Sequence, residues 1–229
     1  IFIRVNSGGT QLSYSDMLLS IATAQWEDRD ARKVINDLVD DLNQMGEGFR
    51  FNKDFVLKAS LVLSDIRTIE FKVSNFNRQN MLTIEQQWGQ IERALRLTVR
   101  LLASWGYSRQ TLVSNNAVIP IAYYVYRKGA PANFVLSGHY EDDREKMARW
   151  LRTALLKRTF SGTPDNVLRQ IRRAMQGSTD GFPAEAIYTA LRGTAKSMEF
   201  GPAELEGLLG YRYHQSYTFS VLAMLYPWL

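Results

Sequence analysis

Arg4 and Asn6 stand on an apolar lead-in, Phe2-Ile-Arg-Val-Asn6, that runs straight into a Gly8-Gly9 break. Glycines accept positive φ at no steric cost, so the backbone can turn sharply there and leave its N–H groups open. Ser13 precedes Asp16 by three residues, close to the capping-box spacing that starts a helix. The helix expected from Met17 to Trp26 points its positive end back at the glycine turn. Arg4, Asn6, Gly8, Gly9 and Asp16 are therefore a candidate anion pocket, with phosphate the usual guest. A glycine hairpin leading into a capped helix explains the same residues without a ligand, because short glycine motifs recur for structural reasons alone.

A second group could neutralise charge. Arg144, Lys146, Arg149, Arg152, Lys157, Arg158, Arg169, Arg172 and Arg173 fall between residues 144 and 173, opposed there only by Glu145 and Asp165. Basic helical faces suit phosphate backbones, since each neutralised phosphate releases a counterion. A solvated surface accounts for the same residues, and the spacing does not choose between the two. Arg93, Arg96 and Arg100 form a smaller basic face softened by Glu85 and Glu92, and read as solvated.

No self-sufficient catalytic centre is visible. There is no Ser/His/Asp set at known spacing, no G-x-x-x-x-G-K-[ST] loop and no H-E-x-x-H. Zero cysteines exclude disulfides and thiolate chemistry and fit a reducing compartment. His139 and His214 have no partners at metal-ligand spacing, and the strings Asp37-x-x-Asp40-Asp41 and Glu141-Asp-Asp143 read as helix-surface punctuation. No catalytic or metal-ligating residue is assigned.

The elements that must position these groups read as helices throughout. Asp30 to Met45 carries an apolar stripe and stops at Gly46; Asn52 can cap a helix with Phe55, Val56, Ala59, Val62 and Leu63 on one side. Asn77 can cap a long helix to Trp105, striped by Ile84, Trp88, Ile91, Leu95, Thr98 and Leu102 in steps of three and four. Further helices are expected at 115–128, 141–160, 164–176, 183–192, 202–209 and 215–225. Three of these have proline at or near the first turn, where its missing N–H is harmless. Ser114, Asn115 and Asn116 read as caps, and Trp88, Trp105 and Trp150 as packing residues. No alternating run is long enough for a convincing strand, so the expected fold is all-α, a multi-helix globular bundle. Residues 1–229 read as one helical domain, divisible at Gly129-Ala130-Pro131 into a first half with the glycine turn (1–129) and a basic half (130–229).

A chain of 229 residues with 45% hydrophobic and 22% charged residues can bury a real core. The longest nearly apolar run, 117–126, is too short for a bilayer and contains Pro120, so no membrane partner is expected and a cytoplasmic location fits. The net charge of +5 comes wholly from residues 81–229, with 18 Lys/Arg against 12 Asp/Glu, whereas residues 1–80 hold 10 against 11. That bias suits a polyanionic partner. Ile1 opens in mid-pattern, and apolar residues 216–225 lead directly into Pro227-Trp228-Leu229. The chain is read as a piece of a longer protein, in which a homo-oligomer is also compatible.

The opening block Phe2-Ile-Arg-Val-Asn-Ser-Gly-Gly-Thr-Gln-Leu-Ser-Tyr-Ser-Asp16 resembles the F-x-R-[IV]-N-x-x-G-x-x-L-x-x-x-D block of the GmrSD-type restriction endonuclease N-terminal family. Similarity continues through Gly48-Phe-Arg-Phe-Asn-Lys-Asp54, residues 114–124, Trp150–Leu156 and Tyr217–Leu225. The family has a ParB/sulfiredoxin-like nucleotide-handling part with a D-G-Q-Q-R motif upstream, and many members carry an HNH-type nuclease segment downstream. Neither motif occurs in these 229 residues. The resemblance implies a bacterial defence role for the parent protein: NTP hydrolysis, with Mg²⁺, coupled to cleavage of foreign DNA. Arg4, Asn6, Gly9 and Asp16 match the block that helps to complete the nucleotide pocket. The chain would then be the helical body of an NTP-dependent endonuclease, not catalytic alone, with nucleotide and DNA as partners. The alternative is a non-enzymatic helical module for nucleic-acid binding or protein interaction.

Overall fold

Local capping chemistry starts the first long helices. The structure, a computed structural model, describes residues 14–177, 181–212, 215 and 217–226. The side chains of Asp30, Asn52 and Asn77 accept hydrogen bonds from the N–H groups of Lys33, Phe55 and Asn80, each at 3.0 Å, and begin α2 (Ala31–Asn43), α3 (Lys53–Leu63) and α4 (Arg78–Ser104). Each satisfies one donor that a helix start would otherwise leave open. Before them lies α1 (Tyr14–Thr23); after them come α5 (Ile119–Arg127), α6 (Glu141–Leu156), α7 (Pro164–Gln176), α8 (Ala184–Leu191), α9 (Pro202–Leu209) and α10 (Thr218–Leu225). No strand occurs among the described residues, and the fold is all-α.

Several boundaries differ from the sequence expectation. The first helix ends at Thr23, so Trp26 lies beyond it and packs edge-on against Trp88 of α4 at 5.2 Å. Residues 115–118 form a 3-10 turn before α5, and Ser114 makes no side-chain cap. Asn115 instead donates its side-chain amide to the carbonyl of Arg50 at 3.0 Å. Helix α6 stops at Leu156 rather than Phe160, because Arg158 takes a left-handed φ of 49° and turns the chain.

The core is built around α4 and α5. Trp88, Ile91, Leu95, Leu101 and Leu102 of α4 are buried, and α5 is buried on nearly all sides from Ile119 to Val125. Helix α3 packs on α5, α7 on α5 and α8, and α10 on α6. One continuous apolar cluster runs from Leu18 to Met198 and includes residues on both sides of position 130. Glu85 ties the α1–α2 link to α4: its carboxylate accepts the N–H groups of Glu27, Asp28 and Arg29 at 2.8–2.9 Å. No helix among the described residues is long and apolar enough to cross a membrane.

Candidate functional site

At the N-terminal end of α3, three stretches far apart in sequence meet. Asp16, in the first turn of α1, forms an ion pair with Lys53, the first residue of α3. The segment before α3 is fixed by Asn43, whose side chain accepts from the N–H of Phe51 at 2.7 Å and donates to its carbonyl at 2.9 Å. Asn115 holds the carbonyl of Arg50 from the other side. Between them opens a pocket of about 360 Å³ lined by Asn52, Asp54, Phe55, Lys58, Asn115 and Asn116, with Phe71 and Pro164 at its edge.

The polar groups of this pocket are unevenly satisfied. Asn52 is occupied as the cap of α3. Lys58 is paired with Asp165 of α7 at 2.5 Å and lies over the Phe71 ring at 5.5 Å. One oxygen of Asp54, Oδ1, is closed off from solvent without a hydrogen-bond partner. A buried carboxylate oxygen without a donor is costly, and its natural complements are a hydroxyl, an amine, a water or a cation. The positive end of α3 and the Lys58 ammonium suit phosphate oxygens in the same space. Among the described residues, no group of three or more His, Asp or Glu side chains could hold a metal ion. Asp54 could furnish one oxygen ligand to a cation that arrives with its own phosphates and waters.

Of the candidate anion pocket, only Asp16 lies within the described residues; Arg4, Asn6, Gly8 and Gly9 lie outside them. Asp54 and Lys58 have no site role in the sequence reading, and Asn116 reads there as a cap. Asp54 reads as an acidic residue favouring a helix start, and only the arrival of Asn115 and Pro164 from remote segments turns it into a pocket wall.

The nine basic residues between 144 and 173 do not form one face. Arg172 is buried and donates to the carbonyls of Ile66 at 2.7 Å and Arg67 at 3.3 Å, so it fastens α7 to the segment after α3. Arg169 is paired with Glu70 and Lys146 with Asp142, both at 2.6 Å. Lys157 pairs with Glu204 and lies over Phe200, and Arg158 stacks on Tyr217 at 4.9 Å; both hold the segment carrying α9 and α10. Arg144 donates to the carbonyls of Phe134 at 2.9 Å and Ser137 at 2.5 Å. Arg173 is exposed at the end of α7. Arg149 and Arg152 remain, on α6, lining a groove of about 530 Å³ with Trp105 and Met224. Trp105 is thus only partly a packing residue. The smaller set behaves as expected, with Arg93 and Arg100 exposed and Arg96 paired with Glu92 and Asp41.

Comparison with known proteins adds no assignment: no protein-family model matches the chain, and no curated protein matches it.

Proposed function

We propose that the chain is the helical body of an NTP-dependent, DNA-directed nuclease of the GmrSD type, and that it contributes one wall of a nucleotide pocket at the start of α3. A single observation carries this reading. The resembling segments 48–54 and 114–124 meet at one polar pocket that contains the unpartnered Asp54 oxygen, and the segment ending at Asp16 reaches the neighbouring Lys53 through an ion pair. Separate sequence blocks that share a ligand must share a place, whereas blocks kept only for helix packing need not. In this role Lys58 and the N–H groups at the start of α3 would hold phosphate, Asp54 would accept from a ribose hydroxyl or supply one oxygen to the accompanying Mg²⁺, and Asn116 would orient the base or sugar. The resemblance assigns Arg4 and Asn6, which lie outside the described residues, to the same nucleotide pocket. The Mg²⁺-bound nucleotide supplies the hydrolysable phosphate when present; these side chains bind and orient it. DNA meets the free basic residues of α6, Arg149 and Arg152.

The test is equilibrium binding of Mg·ATP and Mg·GTP to the 229-residue protein and to Asp54→Asn and Lys58→Met. One of the nucleotides should bind saturably, and each substitution should weaken it by about tenfold, the effect of losing one charge-assisted contact. Arg4→Ala should weaken it as well. Absence of binding at millimolar nucleotide, or equal affinity in all the variants, would refute the pocket.

A second reading is favoured by a separate observation. Leu205 and Leu209 of α9, and Leu222 and Leu225 of α10, are exposed, Leu209 by 78%. Large exposed apolar side chains on two short helices that follow one another in the chain are candidates for an interaction face. If the chain is a protein-interaction module instead, it should self-associate at micromolar concentration in sedimentation experiments. Leu209→Lys with Leu225→Lys should then return it to a monomer. A monodisperse monomer before any substitution would rule out self-association as the use of that face.

A further inference from the structure

The groove between α6 and α10 contains a guanidinium without a counter-charge. Arg149 and Arg152 are three residues apart, and so share one face of α6. Among the described residues neither guanidinium has a carboxylate within ion-pair distance or a hydrogen-bond partner. Arg152 is half-buried, its Nε–H is closed off without an acceptor, and its terminal nitrogens are left to the groove that it lines. The Tyr107 and Ser220 hydroxyls, buried beside each other, interact with one another, and Tyr107 lies within electrostatic reach of Arg152. Burial pushes the Arg152 guanidinium down from its ordinary value, and the positive charge of Arg149 adds to this. Glu141, Arg144 and Glu145 line the same groove toward the start of α6, roughly a turn or more away along the axis, with Arg144 committed to the carbonyls of Phe134 and Ser137.

An uncompensated, partly buried guanidinium destabilises a fold, so packing alone does not explain Arg152. Leu or Met would fill the same space without the penalty. Trp105, partly buried at the end of α4, also contributes to the groove wall. Two free arginines beside an indole are the parts of a single-strand groove: cations for the backbone and a platform for a base.

We propose that this groove binds single-stranded nucleic acid, with Arg149 and Arg152 on consecutive phosphates and Trp105 under a base. The proposal rests on the reading of the chain as nucleic-acid-directed and is independent of the pocket at α3. Two of the nine basic residues thus carry the contact, while Arg144, Lys157, Arg158, Arg169 and Arg172 hold the fold together.

The test follows a fluorescein-labelled single strand of about 12 nucleotides by anisotropy, over about 50 to 200 mM salt. The unsubstituted protein should bind with a steep salt dependence. Arg149→Ala with Arg152→Met should weaken binding by about tenfold or more, and flatten the log–log salt slope by about 1.4, the value for two single-strand phosphates. Arg152→Met should melt no lower than the unsubstituted protein. Arg149 is exposed, so Arg149→Ala keeps the fold and alone should flatten the slope by about 0.7. An unchanged slope and affinity in Arg149→Ala, or no saturable binding at the lowest salt, would overturn the proposal. Equal binding of a duplex of the same sequence would overturn the single-strand assignment. Asp54→Asn should bind the strand normally. Failure of the unsubstituted protein to bind nucleotide, with strand binding intact, condemns only the α3 pocket, and nucleotide binding without strand binding condemns only the groove.

Discussion

Asp143 shows how one side chain can be both buried and charged. Its Oδ2 accepts the Tyr124 hydroxyl at 2.6 Å and faces the Lys128 ammonium at 3.2 Å, and its Oδ1 accepts the N–H of Phe182 at 2.8 Å. Burial pushes its pKa up, but the Tyr124 hydroxyl, the Phe182 N–H and Lys128 outweigh that and hold it below its ordinary value. Because the folded value is depressed, this stabilisation is fully present above about pH 4 and is lost as pH falls through the folded value. Asp143→Asn should therefore lower stability at pH 7 by about 2 kcal/mol in urea titrations. The gap to the unsubstituted protein should narrow below about pH 4. A gap that stays constant down to pH 2 would contradict the ion-pair role. Tyr123 titrates in the opposite sense: burial and the Asp65 carboxylate beside its hydroxyl push its pKa up to about 12. Its contribution is intact below about pH 10 and is lost as pH rises toward that value, so Tyr123→Phe should remove part of the alkaline loss of stability. Glu85 has the largest structural task of a single carboxylate. Glu85→Ala strands three backbone donors and should destabilise the protein by about 3 kcal/mol in the same titrations. Neither task can be seen in sequence, since Glu85 bonds to residues 56–58 positions away and Asp143 to one 39 away.

Elements were legible where their signals are local. Asp30, Asn52 and Asn77 announce helix starts because a cap acts within three residues, and the long stripe of α4 repeats at the helical period. Gly46 marks the end of α2 for a reason that is also local: its φ is 56°, a region that other residues adopt only at a cost. Packing reinforces this, because a Cβ at Gly46 would lie 2.8 Å from the Cβ of Ala103 on α4. Gly46→Ala should accordingly lose about 2 kcal/mol, from backbone strain and overpacking together, measurable as a fall in melting temperature. What was not legible is where tertiary contacts override the pattern. Arg158, a residue with no preference for positive φ, ends the α6 turn. Asn115, expected to cap a helix, reaches across to Arg50 instead.

At the scale of the molecule, the chain keeps few of its basic residues free. The sequence shows nine cations between 144 and 173, but sequence spacing cannot tell an arginine that faces water from one that pins a carbonyl. Tertiary packing sorts them: Arg172 is buried, Arg158 stacks on Tyr217, and Arg149 and Arg152 are left lining a groove. The same holds for the pocket at α3, which exists only because α3, the turn at 115–118 and the start of α7 meet. Its location is the point on which the functional reading depends. Hydrogen–deuterium exchange with and without a saturating Mg²⁺-bound nucleotide tests that location directly. Protection concentrated in peptides covering 50–58 and 114–118 is the expected result. Protection confined to α6 and α10, or none anywhere, would contradict it.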